Sequence, residues 1–282
     1  MGGLFQSFEE NSFVWILISG GIGGIIGSLI KFLFEQVIGP RYVRATEAKV
    51  ALRQYIYPIL RSADALDRRL ENFIRFVDRK WFDDPEDDYY RLSTLYLLGS
   101  YFGWCKILED EAFLEYETSD KRAKEFSIHF YRVFKGITGY YYFQNVDEEE
   151  MPSIDEAVVP RFALTAIGEL MIKDQDPSKT SPSKVLQFIE FTKQFEQSEE
   201  FRRWFRYLEE LLSGLRRAKN VAKWNRLVVF AINLRIFVSF LDTAQRHTTP
   251  RQIYYLRYLH PKVAARVERE LTKSGYSTLL QA

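Results

Sequence analysis

The chain has 282 residues, 46% of them hydrophobic, so it is long enough to bury one large core or two smaller ones. Cys105 is the only cysteine, which excludes an intramolecular disulfide and a cysteine-rich zinc site. The net charge of +1 conceals an uneven distribution, because residues 81–160 are acidic and both flanking stretches are basic, a pattern that suits charged partners or internal helix pairing.

A long uncharged stretch follows a short N-terminal tail, residues 1–12. It runs from Phe13 to Ile30 with the sequence FVWILISGGIGGIIGSLI. At about 1.5 Å per residue this stretch spans roughly 27 Å as a helix, close to the thickness of the hydrocarbon core of a bilayer. Lys31 can extend its charge to the headgroups, so the predicted transmembrane helix covers residues 13–38. The alternative is a buried helix of a soluble core.

Charges on either side of this stretch predict its orientation. Only Glu9 and Glu10 precede it, whereas basic residues follow it closely. Lysine and arginine are retained on the cytoplasmic side, so we expect a single-pass protein with its N-terminus outside and its body in the cytoplasm. The predicted membrane-interface basic residues are Lys31, Arg41, Arg44 and Lys49.

Glycines within the predicted span are spaced for close helix packing. Gly20 and Gly24 are four residues apart, as are Gly23 and Gly27. Such spacing lets two membrane helices approach closely, which predicts a homo-oligomer or docking against another membrane helix. The alternative is that these glycines reflect only the high frequency of glycine in membrane spans.

The next two regions are predicted to be helical. Residues 39–80 have apolar residues at helical spacing and form a juxtamembrane amphipathic helix, which Pro58 should kink or divide. Residues 81–150 form a helical subdomain with acidic loops. Within it, Leu92 to Leu108 is predicted to be a buried helix, and a second helix is expected from about Ser119 to Lys135.

Residues 151–282 are predicted to form a C-terminal helical bundle. Ser153, Ser181 and Thr249 resemble helix N-caps because acidic residues or proline follow them. The expected helices cover 154–173, 182–197, 199–217, 218–245, 250–259 and 261–273. The predicted fold class is therefore all-α, with one N-terminal transmembrane helix followed by a cytoplasmic multi-helix bundle.

Sequence motifs for catalysis or cofactor binding are weak. The run GGIGGIIG lies in the apolar span and lacks the lysine of a phosphate loop, and no paired metal-ligand motif occurs. Cys105 lies in a predicted buried helix, where an inert thiol is expected. We therefore expect no cofactor and no metal, and the sequence favours a non-enzyme while leaving the question open.

One short segment carries a resemblance. Arg122 and His129 bracket RAKEFSIH, which resembles the Arg-x(4–6)-His signature of HEPN-type helical ribonucleases. That resemblance implies a phosphate-binding role for Arg122 and proton transfer by His129 at an RNA phosphodiester. Ala123 departs from the polar residue usual after the arginine. The alternative, which we favour, is an ordinary surface or core histidine.

A basic stretch with interleaved aromatic residues covers residues 201–235. Its predicted surface cations are Arg202, Arg203, Arg206, Arg216, Arg217, Lys219 and Lys223. Arginine beside aromatic rings suits phosphate and base contacts, but it also suits a solvated helix face paired with the acidic middle of the chain. We favour the internally paired face over a lipid or protein surface, and nucleic acid is disfavoured as a partner.

These patterns together predict a membrane-anchored helical scaffold or regulatory interaction protein. It would assemble through its glycine-rich membrane helix and bind a cytoplasmic or membrane partner, with the lipid bilayer and a second membrane helix as further partners. The alternative function is a membrane-tethered nucleic-acid-binding effector or a HEPN-like ribonuclease.

Overall fold

A computed structural model describes residues 39–111, 121–173 and 183–280, without the side chains of 39–54 and 121–123. Within these ranges the chain is helical with two isolated β-bridges and no strand. The α-helices are α1 Gly39–Arg75, α2 Asp88–Glu111, α3 Lys121–Thr138, α4 Arg161–Leu170, α5 Phe188–Gln197, α6 Glu199–Leu212, α7 Ala222–Leu241 and α8 Pro261–Lys273. The all-α prediction is confirmed. The predicted span at residues 13–38 lies outside the described residues.

The chain divides into two compact units, Met1–Val50 and Ala51–Ala282. The second unit contains one continuous hydrophobic core, to which every α-helix from the second half of α1 to α8 contributes. Helices from residues 81–150 and from 151–282 pack together in it, because α3 lies against α7 and α2 lies against α4.

α1 is one helix of 37 residues with Pro58 inside it, so of the two predicted effects, a kink or a division, the division does not occur. The proline removes one backbone donor. However, Ile59, Leu66 and Leu70 are fully buried on the segment that follows. Tertiary packing of this apolar face stabilises the helix across the proline.

Two pairs of helices approach each other at glycine. A Cβ atom on Gly168 of α4 would lie 2.8 Å from the carbonyl oxygen of Phe102 in α2. A Cβ atom on Gly136 of α3 would lie 2.8 Å from the Cα atom of Phe230 in α7. Real Cβ atoms avoid such distances, so these glycines set the spacing of the two helix pairs.

α7 lies at the centre of the fold. It is long and apolar enough to cross a membrane, the one such helix in the described part of the chain, and 83% of its apolar window is buried. It also buries Arg226 and Arg235, which bond to groups on neighbouring segments. Length and composition are thus compatible with a membrane span, while the burial and polar contacts are those of a core helix.

The prediction of a helix over 154–173 is wrong at its start. Ser153 has a φ angle of 60° and does not cap a helix, and α4 begins only at Arg161. The amide of Val159 donates to the carbonyl oxygen of Ile137 at 3.0 Å. Pro160 disfavours a helical Val159, so the turns over residues 152–157 do not continue into α4.

The helix expected over 182–197 begins at Phe188. Before it, Leu186 donates its amide to the carbonyl of Met171 at 2.8 Å, and Ile172 and Val185 form a β-bridge. α5 then starts with a capping box between Gln187 and Glu190, which satisfies the first amides of the helix. The proposed cap at Ser181 lies outside the described residues, as does Ser119.

The helix expected over 250–259 does not form. The amide of Ile253 donates to the carbonyl of Leu279 at 2.7 Å, and only Tyr255–Tyr258 forms a short 3-10 helix. The amide of Ile253 is therefore bonded to a distant carbonyl and cannot form a helical hydrogen bond. In contrast, α8 begins at Pro261 and ends at Lys273, as predicted.

α6 and α7 are shorter than expected. α6 ends at Leu212, since Gly214 has a φ angle of 65° and gives its amide to the carboxylate of Asp83 at 3.0 Å. α7 covers 222–241 rather than 218–245. Its end is fixed by Asp242, whose carboxylate accepts the amides of Arg246, His247 and Thr248.

Candidate functional site

Three of the predicted surface cations bind the ends of helices. Arg202 donates to the carbonyls of Phe195 and Glu196 at the end of α5, at 3.0 and 2.8 Å. Arg217 donates to the last carbonyls of α1, and Lys223 donates to the carbonyl of Glu210 in α6. The last carbonyls of a helix lack internal donors and carry partial negative charge. These side chains therefore stabilise helix C-termini.

A second group of cations converges from three distant segments, and we call it the basic face. Arg217 links the segment after α6 to the end of α1, because it donates to the carbonyls of Ile74 and Arg75 at 3.1 and 3.0 Å. Its guanidinium group lies 4.7 Å from the ring centre of Tyr258, over which Arg257 also lies at 5.0 Å. The basic face consists of Arg75, Arg79, Lys80, Arg216, Arg217, Lys219 and Arg257.

The basic face is exposed and carries few carboxylates. Six of its seven side chains are exposed, with Arg217 half-buried. Asp78 lies 3.6 Å from Arg217, Asp83 is bonded to Gly214, and Glu268 lines a groove shared with Lys219 and Arg257. The face therefore has an excess of positive charge. Of the predicted cations, it includes Arg216, Arg217 and Lys219, while nothing in the described residues joins Arg203 or Arg206 to it.

A cleft with a buried ion-pair cluster lies elsewhere on the molecule, and sequence reasoning missed it. Asp64, Asp67 and Glu71 share one side of α1. Asp67 accepts a bond from Nε of Arg235 at 2.6 Å, and Glu71 accepts one from Nη2 at 3.0 Å. Arg251 reaches all three carboxylates, bonding Asp64 most closely. The spacing i, i+3, i+7 was a signal in the sequence, but its partners are more than 160 residues away.

The cleft has a volume of about 780 Å³, within the range of small-molecule sites. The ion-pair cluster forms one end. Hydroxyl and amide side chains form much of the wall, and they include Ser239, Thr249, Thr278, Gln245 and Gln252. The end of α7 and the loop after it thus supply a polar wall, while α1 supplies the charged end.

Burial shapes the electrostatics of the cluster. Asp67 is fully buried, and burial raises its pKa, while Arg235 and Arg251 act in the opposite direction. Burial also raises the pKa of Asp242 at the rim, but bonds from the amides of His247 and Arg246 outweigh it, so that pKa lies below its ordinary value. Asp242 is therefore a fixed anion that holds the loop.

His129 lies in a poor position for acid-base chemistry. Its side chain is only 7% exposed, and its ring centre lies 4.8 Å from that of Phe240 and 5.3 Å from that of Tyr276. Burial lowers its pKa to about 4, and the nearby charge of Arg132 acts in the same direction. The side chain of Arg122 is not described. His129 thus has the surroundings of a core histidine.

Other candidate groups are accounted for as follows. Cys105 is buried, and burial raises the pKa of its thiol, so the reactive thiolate is disfavoured. Among the described residues, no group of three His, Cys, Asp or Glu side chains could hold a metal. Gly20, Gly23, Gly24, Gly27 and Lys31 lie outside the described residues. Arg41, Arg44 and Lys49 fall in α1, in the part whose side chains are not described.

Comparison with known proteins gives no relative. No family model, no curated protein and no solved structure matches the chain.

Proposed function

We propose that this protein is a membrane-anchored helical interaction protein that binds an acidic cytoplasmic protein through its basic face. The single observation that carries this proposal is the convergence of three distant segments that bear seven cations, joined through Arg217 and Tyr258. The proposed anchor is the uncharged stretch from Phe13 to Ile30, with Gly20, Gly23, Gly24 and Gly27 as its packing stripe.

The geometry favours a protein over a nucleic acid as the partner. Single-stranded nucleic acids gain affinity by stacking bases on aromatic rings. The rings near the basic face are Phe76, Trp81 and Tyr258, and guanidinium groups already lie over each of them. Planar guanidinium groups held in this way can still bind carboxylates at two points.

The exposed charges also suit a reversible contact. Charge pairs at the rim of an interface mainly increase the association rate and the choice of partner, and salt weakens them. We therefore expect binding of the acidic partner to fall steeply between low and physiological ionic strength.

Charge reversal tests the proposal. In Arg79→Glu/Arg216→Glu/Arg257→Glu, three exposed cations of the basic face change sign, and none of them bonds a helix carbonyl. The matched control is Arg61→Glu/Lys124→Glu/Lys193→Glu, which changes three exposed cations outside the face. Chemical cross-linking in native membranes, followed by mass spectrometry, measures the partner recovered. We expect at least a tenfold loss for the first variant and none for the control; equal recovery from both would refute the proposal.

The anchor is tested separately. Deleting residues 1–38 should move the protein from the membrane fraction to the soluble fraction after lysis without detergent, because the uncharged stretch is lost. In the whole chain, Gly24→Leu/Gly27→Leu should change the oligomeric state in detergent or release a membrane partner. A deletion variant that stays in the membrane would contradict the anchor.

A further inference from the structure

The cleft beside the ion-pair cluster has the features of a binding site for a small zwitterion. It lies among α1, the end of α7 and the segments 242–252 and 275–279, and it does not include the basic face. An inference about it therefore goes beyond the proposed interaction function.

Both signs of charge are accessible at the closed end of the cleft. Glu71 is 23% exposed and Arg251 is 15% exposed, and the two lie 3.4 Å apart. The bonds of Glu71 to both arginines use Oε2, so Oε1 is free among the described residues to accept a further donor. A ligand cation and a ligand anion can thus bind within a few ångströms of each other.

The arginines keep unused donors. Nη1 of Arg235 and Nε of Arg251 are buried and have no partner within the described chain, and the same holds for the Tyr254 hydroxyl. The Arg235 side chain is only 2% exposed and lines the cleft. A buried donor without a partner costs free energy. If the Arg251 side chain rotates so that its Nε donates to a ligand carboxylate, this cost is removed and binding is favoured.

The cluster as a whole disfavours a ligand of one sign. Among the residues that line the cleft, the carboxylates are Asp67, Glu71 and Asp242, and the cations are Arg235 and Arg251. A phosphate dianion would be repelled by the three carboxylates, and a polyamine would be repelled by the two guanidinium groups. A ligand with one positive and one negative group close together can pair each group with an opposite charge and avoids both repulsions.

We propose that the cleft binds a free α-amino acid. Its ammonium group bonds Glu71 Oε1, its carboxylate bonds Arg251, and its side chain extends along the wall formed by Ser239, Thr249 and Thr278. In an α-amino acid the ammonium group and the carboxylate group are attached to the same carbon atom, which matches the short distance between Glu71 and Arg251. The volume of about 780 Å³ leaves room for a large polar side chain.

Thermal unfolding of the full-length protein in detergent tests the site. The probes are the twenty proteinogenic L-amino acids, each measured singly, with inorganic phosphate as a comparison. At about ten times its Kd, a ligand should raise the midpoint by about 3 °C. For the best amino acid, the N-acetyl derivative and the carboxamide should each shift the midpoint by less than about 1 °C, because each lacks one charge.

Variants locate the binding. Glu71→Gln should reduce the affinity about tenfold or more, while the matched control Glu209→Gln should not change it. Glu209 is similarly exposed and also pairs with an arginine, Arg91, but it lies outside the cleft. Thr249→Trp should also weaken the shift, because the indole ring occupies the wall along which the ligand side chain lies, without replacing a member of an ion pair.

Four results would each overturn the proposal. They are no shift with any amino acid, an equal shift with a blocked derivative, a larger shift with phosphate, and full affinity in Thr249→Trp. None of them depends on the acidic partner, so failure of the ligand site and failure of the basic face are distinguishable.

Discussion

α7 buries two arginines nine positions apart, and the fold satisfies them in opposite ways. Arg226 donates only to the backbone carbonyls of Gly139 and Ile154, and burial lowers its pKa to about 10. At Arg235 burial also lowers the pKa, but Tyr255, Asp67 and Glu71 reverse the effect and raise it above its ordinary value. One guanidinium group fixes two turns, while the other forms the charged end of a cleft.

The comparison separates a structural cation from one that can take part in binding. Arg226 has no carboxylate within ion-pair distance in the described chain, and the ring of Phe143 lies 4.4 Å from its guanidinium group. It is fully enclosed. Arg235 is equally buried, but its partners Glu71 and Arg251 reach the solvent, so a ligand can change the cluster from outside.

The largest expected effect comes from breaking the Arg235 cluster. Asp67→Ala should destabilise the protein by about 3 kcal/mol, because Arg235 stays buried with one partner fewer. Chemical denaturation measures the free energy of unfolding. Asp110→Asn is the control, since Asp110 is half exposed and pairs with Lys106, and such pairs contribute about 0.3 kcal/mol. Equal effects from the two variants would show that burial does not distinguish these pairs.

A smaller loss is expected at Arg226. Arg226→Met should cost about 2 kcal/mol, because two carbonyls lose a charged donor while the cost of burying the charge disappears. Arg226→Lys keeps the charge but cannot reach both carbonyls, so it should be no more stable than Arg226→Met. A lysine variant as stable as the original protein would mean that charge, and not the two bonds, is what the site needs.

A comparable effect, which appears only at acidic pH, concerns a third buried group, His129, which is neutral in the fold. Its folded pKa of about 4 lies below the ordinary 6.5, so its contribution to stability is complete above pH 6.5 and is lost as the pH falls toward 4. The loss should reach about 2 kcal/mol at pH 4, after discounting for partial solvation. His129→Gln should remove this part of the pH dependence, measured by denaturation between pH 7 and 4. An unchanged pH dependence would show that the His129 side chain is accessible to water and not buried.

Local sequence signals predicted the elements that depend on local chemistry. α8 and the start of α6 lie where the sequence predicted them, and in the structure Pro261 opens α8 and the Ser198 side chain caps α6. In contrast, the extended stretches near Val159 and Ile253 depend on carbonyls of Ile137 and Leu279. No local pattern contains these long-range bonds.

The same limit applies to the sites. Residues 202–223 form an obvious basic run, but the basic face also needs Arg75, Arg79 and Arg257, which the chain brings to it from far away. The carboxylates of the cleft were visible as a helical spacing. Their guanidinium partners could be identified only after α7 and residue 251 were placed beside α1.

Arg202, Arg217 and Lys223 each stabilise the end of a helix. This affects how mutagenesis of the basic residues 202–223 must be interpreted. Each of these side chains is fastened to the last turn of another helix. Replacing one of them frays that turn and mimics a loss of partner affinity, although no interface has been touched. Genetic screens that scan the run will therefore report folding defects at these three positions, whatever their exposed neighbours bind.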